Sequence, residues 1–228
     1  MSLARRAVAE ILGTAMLLAA VVGSGIMAER LAGGNVALTL LANTIATGTA
    51  LVALILTFGP ISGAHLNPAV TLSFALLSDI AWRDAVVYVV AQIMGAVAGV
   101  ITANLMFGLP PIFFSSRTRT GATQFFSEFV ATLGLVLVIR ICAMLQPRMI
   151  AFAVAAYITA AYWFTASTSF ANPAVTIARS MTNTFSGIRP IDAPWFILAE
   201  VVGAVLAAGV FHWLLRANPA PIVGRKAS

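Results

Sequence analysis

Residues Ser169–Ser180 read SFANPAVTIARS, and the same five letters, Asn-Pro-Ala-Val-Thr, stand 105 positions earlier (172 − 67 = 105) in GAHLNPAVTLSF, residues 63–74. A perfect five-residue repeat in a chain of 228 residues points to one structural device used twice. Asn is a strong helix N-cap, and Pro suits the first helical position, where its missing N–H is not needed. Asn67-Pro68 and Asn172-Pro173 therefore each start a helix. The apolar stretches that follow, about 67–77 and 172–182, fall well short of the roughly 17–25 residues that cross a bilayer. They are expected to be half-helices, each dipping in from one face and returning to it.

The surroundings of these motifs are lipid-soluble. The chain is 61% hydrophobic and 9% charged, with a mean hydropathy of +0.99, whereas soluble domains carry about a quarter charged residues. Six stretches are long enough to span: about 7–27, 36–58, 84–107, 124–145, 149–166 and 194–215. The N-terminus resembles a signal peptide, but its apolar run continues to Met27 without a cleavage signal, so it is read as a retained first span. Cys142, the single cysteine, permits no internal disulfide and reads as core filler. The net charge of +6 does not indicate nucleic acid as a partner, because the arginines cluster at segment ends, where they set topology.

With the N-terminus inside, the inner loops and tails hold seven cations (Arg5, Arg6, Arg83, Arg148, Arg216, Arg225, Lys226) and the outer loops four (Arg30, Arg117, Arg119, Arg189). This bias places both termini in the cytoplasm. The halves match beyond the motif: AEILGT at 9–14 pairs with SEFVAT at 127–132, and AQIMGAVAG at 91–99 with AEVVGAVLA at 199–207. Each half has three spans and a half-helix. Three is odd, so the halves point in opposite directions across the membrane. The expected fold is an all-α membrane protein of six transmembrane helices and two re-entrant half-helices in an inverted repeat. It forms one channel domain over residues 1–228, with repeats at about 1–110 and 120–218.

Non-helical backbone at membrane depth is tolerated only inside protein or along a watery cavity. The two half-helix N-termini are expected to meet near the midplane. Each carries roughly half a positive charge, and together they form a barrier to cations beside which the Asn67 and Asn172 amides offer donors. The small, polar loops at 59–66 and 165–171 supply acceptors, the carbonyls of Gly63, Ala64, His65, Thr168 and Phe170. Donors and acceptors then form a track for a neutral solute with lone pairs.

Glu10, Glu128 and Glu200 lie in apolar spans, where a charge costs ~2.5–3.5 kcal/mol or more. Glu10 and Glu128 are read as structural acceptors for loop N–H groups, and Glu200 as the counterpart of Gln92. Gly95, Gly99, Gly203 and Gly209 are assigned to close helix packing. Phe113 and Phe114, beside Pro110 and Pro111, read as an interfacial outer loop. Arg179 has two readings, as lining of the outer vestibule or as a side chain snorkelling to the interface. There is no catalytic constellation, metal-ligand spacing or phosphate loop, so an enzyme, a cofactor and a metal are not expected.

The paired motifs Asn67-Pro68-Ala69 and Asn172-Pro173-Ala174, with a Glu in the first and fourth spans, resemble the aquaporin (major intrinsic protein) family over nearly the whole chain. The resemblance implies a pore in each protomer of a homotetramer. Family members usually carry arginine directly after the second motif, and this chain has Val175. Counting from the asparagines assigns the other filter positions to Thr47, Ala160 and Ser169. That filter lacks an aromatic ring, an imidazole and a guanidinium, so it is expected to be wide and weakly polar. Val175 within STSFANPAV resembles the channels of bacterial arsenic-resistance operons. The resemblance thus implies an inner-membrane channel for neutral trivalent metalloid acids such as arsenous acid, for polyols such as glycerol, and for water. A proton- or ion-coupled transporter and a closed structural protein are the rival readings.

Overall fold

The computed structural model describes residues 1–216. Arg225 and Lys226, counted above among the inner cations, lie outside the described residues, as does the end of the second repeat.

Among the described residues, eight α-helices follow one another. They are α1 (Leu3–Leu31), α2 (Val36–Ser62), α3 (Pro68–Leu76), α4 (Trp82–Met106), α5 (Ala122–Leu145), α6 (Ile150–Phe164), α7 (Pro173–Arg179) and α8 (Ala193–Phe211). Local chemistry sets the ends. Ser2 Oγ accepts the Arg5 N–H at 3.4 Å to open α1, and Asn35 Oδ1 accepts the Leu38 N–H at 3.0 Å to open α2. Gly63, at φ +90°, closes α2 in the left-handed region that a Cβ disfavours.

By length and composition, α1, α2, α4, α5 and the helix from Ala193 can each cross a membrane, five among the described residues. The expected segment at 149–166 is shorter: α6 has 15 residues, preceded by a single 3-10 turn at Pro147–Met149. At 1.5 Å per residue it rises about 22 Å. The second half-helix also stops early, at Arg179 rather than 182. The backbone beyond it is used elsewhere: Ser180 O and Met181 O accept the Ser115 and Phe113 N–H groups at 3.0 and 3.1 Å, pinning the α4–α5 loop.

The face holding the start of α1 is called the near face and the other the far face. The α2–α3 loop dips in from the near face and the α6–α7 loop from the far face. α1 packs along α4, and α5 along α8. Small residues permit the approach. A Cβ at Gly95 would collide with Ile11 O, one at Gly99 with Ala15 O, and one at Gly203 would lie 2.7 Å from Phe129 O. Gly209 does not share this role: no atom lies within 4 Å of where its Cβ would be, because it sits on the side of α8 turned away from α5.

Candidate functional site

The two Asn-Pro turns meet and brace each other. Asn67 Nδ2 donates to Ala171 O at 2.7 Å, and Asn172 Nδ2 donates to Leu66 O at 2.8 Å. Each asparagine also caps its own helix: Asn67 Oδ1 accepts the Ala69 N–H at 2.8 Å, and Asn172 Oδ1 accepts the Ala174 N–H at 3.0 Å. An amide nitrogen carries two hydrogens, so each Nδ2 keeps one beyond the cross-brace. Pro68 and Pro173 each occupy the first turn of their helix, where no N–H is required.

The loops leading to these turns are strained and need support. Ala64, Leu66, Thr168, Ser169 and Ala171 all have φ between +46° and +63°, a costly region for residues with a Cβ. Buried glutamates hold them there. Glu10 accepts the His65 and Leu66 N–H groups at 3.0 and 2.7 Å, and Glu128 accepts those of Phe170 and Ala171 at 2.9 and 2.7 Å. Gln92 Nε2 donates to Glu10 and to Thr71 Oγ1 at 2.8 and 2.9 Å. In the other half, Thr176 Oγ1 donates to Glu200 at 2.7 Å.

A continuous cavity of ~580 Å³ runs past both asparagines, from Arg148 near the α5–α6 turn to Arg179 toward the far face. Thr47, Ser169 and Val175 line it, as do Gly63, Ala64, His65 and Phe170. Two expected residues are elsewhere. Ala160 lies exposed on the outer surface of α6, and the passage is lined instead by Ile158 and Tyr162. The buried face of α6 runs Ala151, Val154, Ile158, Tyr162, and Ala160, two residues from either neighbour, is rotated about 200° away from them. Thr168 is not part of the lining; its Oγ1 accepts from Arg119 at 3.3 Å. The far end of the passage therefore contains two aromatic rings, Tyr162 and Phe170, and the Arg179 guanidinium, contrary to the expected filter without ring or guanidinium.

Arg179 is 2% exposed. Its Nε donates to Ser186 O, and its guanidinium sits 3.4 Å from the centroid of the Phe170 ring. Arg119, from the α4–α5 loop, lies over the same ring at 4.9 Å. Its Nε and Nη1 donate to Gly187 O and Ser167 O, both at 2.9 Å. Burial, and then the Arg179 charge, pull the Arg119 pKa down to about 9, which leaves it a cation at neutral pH. Nothing in the linear order marks Arg119 as a site residue, because its partners are 48 to 68 residues away. Tyr162 went unassigned, although the 3–4-residue spacing of the α6 core face is a signal that marks it.

Two re-entrant helix ends meeting on one cavity that runs from Arg148 to Arg179 define a membrane channel built as an inverted repeat. The comparisons agree with that class. The major intrinsic protein family model matches residues 1–149 and again 140–226. The chain is 57% identical to aquaglyceroporin AqpS of Rhizobium meliloti (strain 1021), over 94% of this chain and 91% of that protein. It is 32% identical to aquaporin NIP1-3 of Oryza sativa subsp. japonica, over 96% of this chain and 76% of that protein. The X-ray structure of the aquaglyceroporin from Plasmodium falciparum superposes with a TM-score of 0.73 at 22% identity, covering 93% of this chain and 97% of that one. The chain belongs to the major intrinsic protein family: it is a passive membrane channel for small solutes and not an enzyme.

Proposed function

We propose that the channel passes small uncharged solutes rich in hydroxyl groups, namely glycerol-like polyols and neutral trivalent metalloid acids such as arsenous acid, with water as a smaller co-permeant. The observation that carries this reading is the cavity past Asn67 and Asn172, which no Asp or Glu lines among the described residues. A transporter coupled through a carboxylate requires one facing the pathway, and the buried glutamates are instead turned to the loop backbones. The relative named an aquaglyceroporin supports a polyol. Val175 supports a passage wide enough for a squat, multi-hydroxyl solute, with Thr47 and Ser169 as its polar wall. The whole chain acts as one channel unit. The arginine bias supports termini in the cytoplasm, and the Rhizobium relative supports a bacterial plasma membrane. A homotetramer follows the family pattern.

Light scattering from proteoliposomes tests the reading. Glycerol and arsenous acid are expected to enter rapidly without any ion gradient. Val175→Arg places a five-donor guanidinium in the passage and is expected to cut glycerol and arsenite uptake roughly tenfold or more while sparing more of the water flux. Equal losses for all solutes mean that Val175 does not set selectivity. Flux that requires a proton gradient returns the coupled transporter.

A further inference from the structure

The far mouth contains an arrangement that the channel reading does not use. Two guanidiniums lie over the Phe170 ring, Arg179 at 3.4 Å and Arg119 at 4.9 Å. A ring face attracts a cation within about 6 Å, so the ring holds both side chains in place. Arg179 makes one hydrogen bond among the described residues, from Nε to Ser186 O. Its two Nη groups have no hydrogen-bond partner among the described residues, although the residue is 2% exposed and lines the cavity. Guanidinium N–H groups without an acceptor are costly to take out of water unless something in the passage accepts their hydrogens. Ser169 Oγ, also in the lining, is buried without a hydrogen-bond partner. Neither Arg179 nor Arg119 has a carboxylate within ion-pair distance among the described residues.

We propose that Arg179 is the specificity-determining residue of the far mouth, donating through its free Nη groups to the hydroxyl oxygens of a neutral polyhydroxylated solute while its charge repels cations. Arg119 is a positioning residue: anchored on Ser167 O and Gly187 O, it fixes Phe170, and through that ring Arg179. Val175 gives width, and Arg179, four residues further along α7, gives the donors. A solute with several hydroxyls satisfies the Nη pair and Ser169 Oγ together; water satisfies only one or two of these groups at a time. The proposal rests on the chain being a channel.

The test compares glycerol and water permeability in proteoliposomes of the full chain, normalised to folded protein. Arg179→Met keeps the length of the side chain and removes its donors. The glycerol-to-water ratio is expected to fall about tenfold, the size of one lost charge-assisted hydrogen bond. Arg119→Gln is expected to lower the ratio roughly threefold, and to add nothing to Arg179→Met in the double variant, because it acts through the same ring. A purely structural role for Arg119 lowers both fluxes in proportion and leaves the ratio unchanged, which removes its positioning role. If Arg179→Met fails to fold, Phe170→Leu and Arg179→Lys carry the test, each with an expected loss of ratio of about threefold. An unchanged ratio with water flux retained overturns the proposal while leaving the channel intact. A parent protein that conducts neither solute overturns the channel reading itself.

Discussion

The two re-entrant halves perform the same fold with different chemistry, and an offset of 105 residues aligns them position by position: Ser62 with Ser167, His65 with Phe170, Asn67 with Asn172, Thr71 with Thr176, Phe74 with Arg179. The backbone roles are kept. Ser62 Oγ accepts the Ala64 N–H at 3.1 Å, as Ser167 Oγ accepts that of Ser169 at 3.3 Å. The side-chain environment is not. In the near half the His65 ring packs on Phe74 and Tyr88, and Ser62 O is held by the Tyr88 hydroxyl at 2.8 Å. The guanidinium over Phe74 is that of Arg140, which is paired with Asp79. In the far half the ring is Phe170, its partner is Arg179, and Ser167 O is held by Arg119. The near loop is thus neutral or neutralised, and the far loop has two guanidiniums against it with no carboxylate at ion-pair distance among the described residues. Symmetry supplies the passage, and its breaking concentrates discrimination at one end.

The strongest way to break the comparison acts where the halves are most alike. Asn67→Asp or Asn172→Asp replaces a donating amide with a carboxylate against a positive helix end. It also loses the cross-brace to Ala171 O or Leu66 O. Cation conductance in planar bilayers is expected to rise roughly a hundredfold, the scale of a barrier lowered by about 2.7 kcal/mol. Parent-level conductance in a folded variant moves the barrier away from the asparagines.

Next come the glutamates. Glu10 accepts four hydrogen bonds, from Ser62 Oγ, His65 N, Leu66 N and Gln92 Nε2. Glu128 accepts two from the loop backbone, Phe170 N and Ala171 N. Each stranded buried donor costs about 1–3 kcal/mol, so Glu10→Ala is expected to lower the melting temperature and membrane yield more than Glu128→Ala. The reverse order in a detergent melt denies that the near loop is the more heavily tied of the two.

Two smaller effects sharpen the account of packing. Gly203→Ala drives a methyl to within 2.7 Å of Phe129 O and is expected to destabilise by about 1–3 kcal/mol. Gly209→Ala meets no atom within 4 Å, and the better helix propensity of Ala gives it a gain of up to about 1 kcal/mol. Identical melts for the two variants contradict the close α5–α8 contact. Last, Glu200→Gln copies into the far half the amide that the near half has at Gln92. Glu200 Oε2 is buried without a hydrogen-bond partner, and an amide N–H₂ there has the neighbouring Glu128 carboxylate as acceptor. The variant is expected to be neutral or more stable by up to about 1 kcal/mol, and a clear loss in the same melt shows that the acid itself is required.

Much of this was legible because the membrane limits the options. A chain with no water to satisfy its backbone must use helices or a closed barrel, and continuous apolar runs of this length are helices, so apolar length located the spans. Only a cap followed at once by Pro starts a helix in mid-membrane, so Asn67-Pro68 and Asn172-Pro173 were conspicuous. Glu10 and Glu128 stood out because an acid in an apolar span needs donors. What failed was azimuth and reach. Ala160 was assigned by counting residues rather than by the phase of the α6 face. Gly209 was assigned by composition, although it does not face α5. The length of α7 depended on backbone pairing with a loop some 65 residues earlier in the chain (180 − 115).

The sequence by itself determined that this protein lies in the membrane, that it is an inverted repeat, and that two helices begin at its asparagines. Periodicity, capping and hydropathy are local and add along the chain, so reading residues in order is enough to find them. Only the tertiary structure decided what surrounds a passing solute. Arg119 reaches Phe170 from 51 residues away (170 − 119), Tyr162 meets Thr47 across 115 residues, and Arg179 faces the cavity because Phe170 and Ser186 hold it there. Such contacts depend on the rotation of each helix and the path of each loop, which no short stretch of sequence encodes, since they are set by packing every element against the others at once.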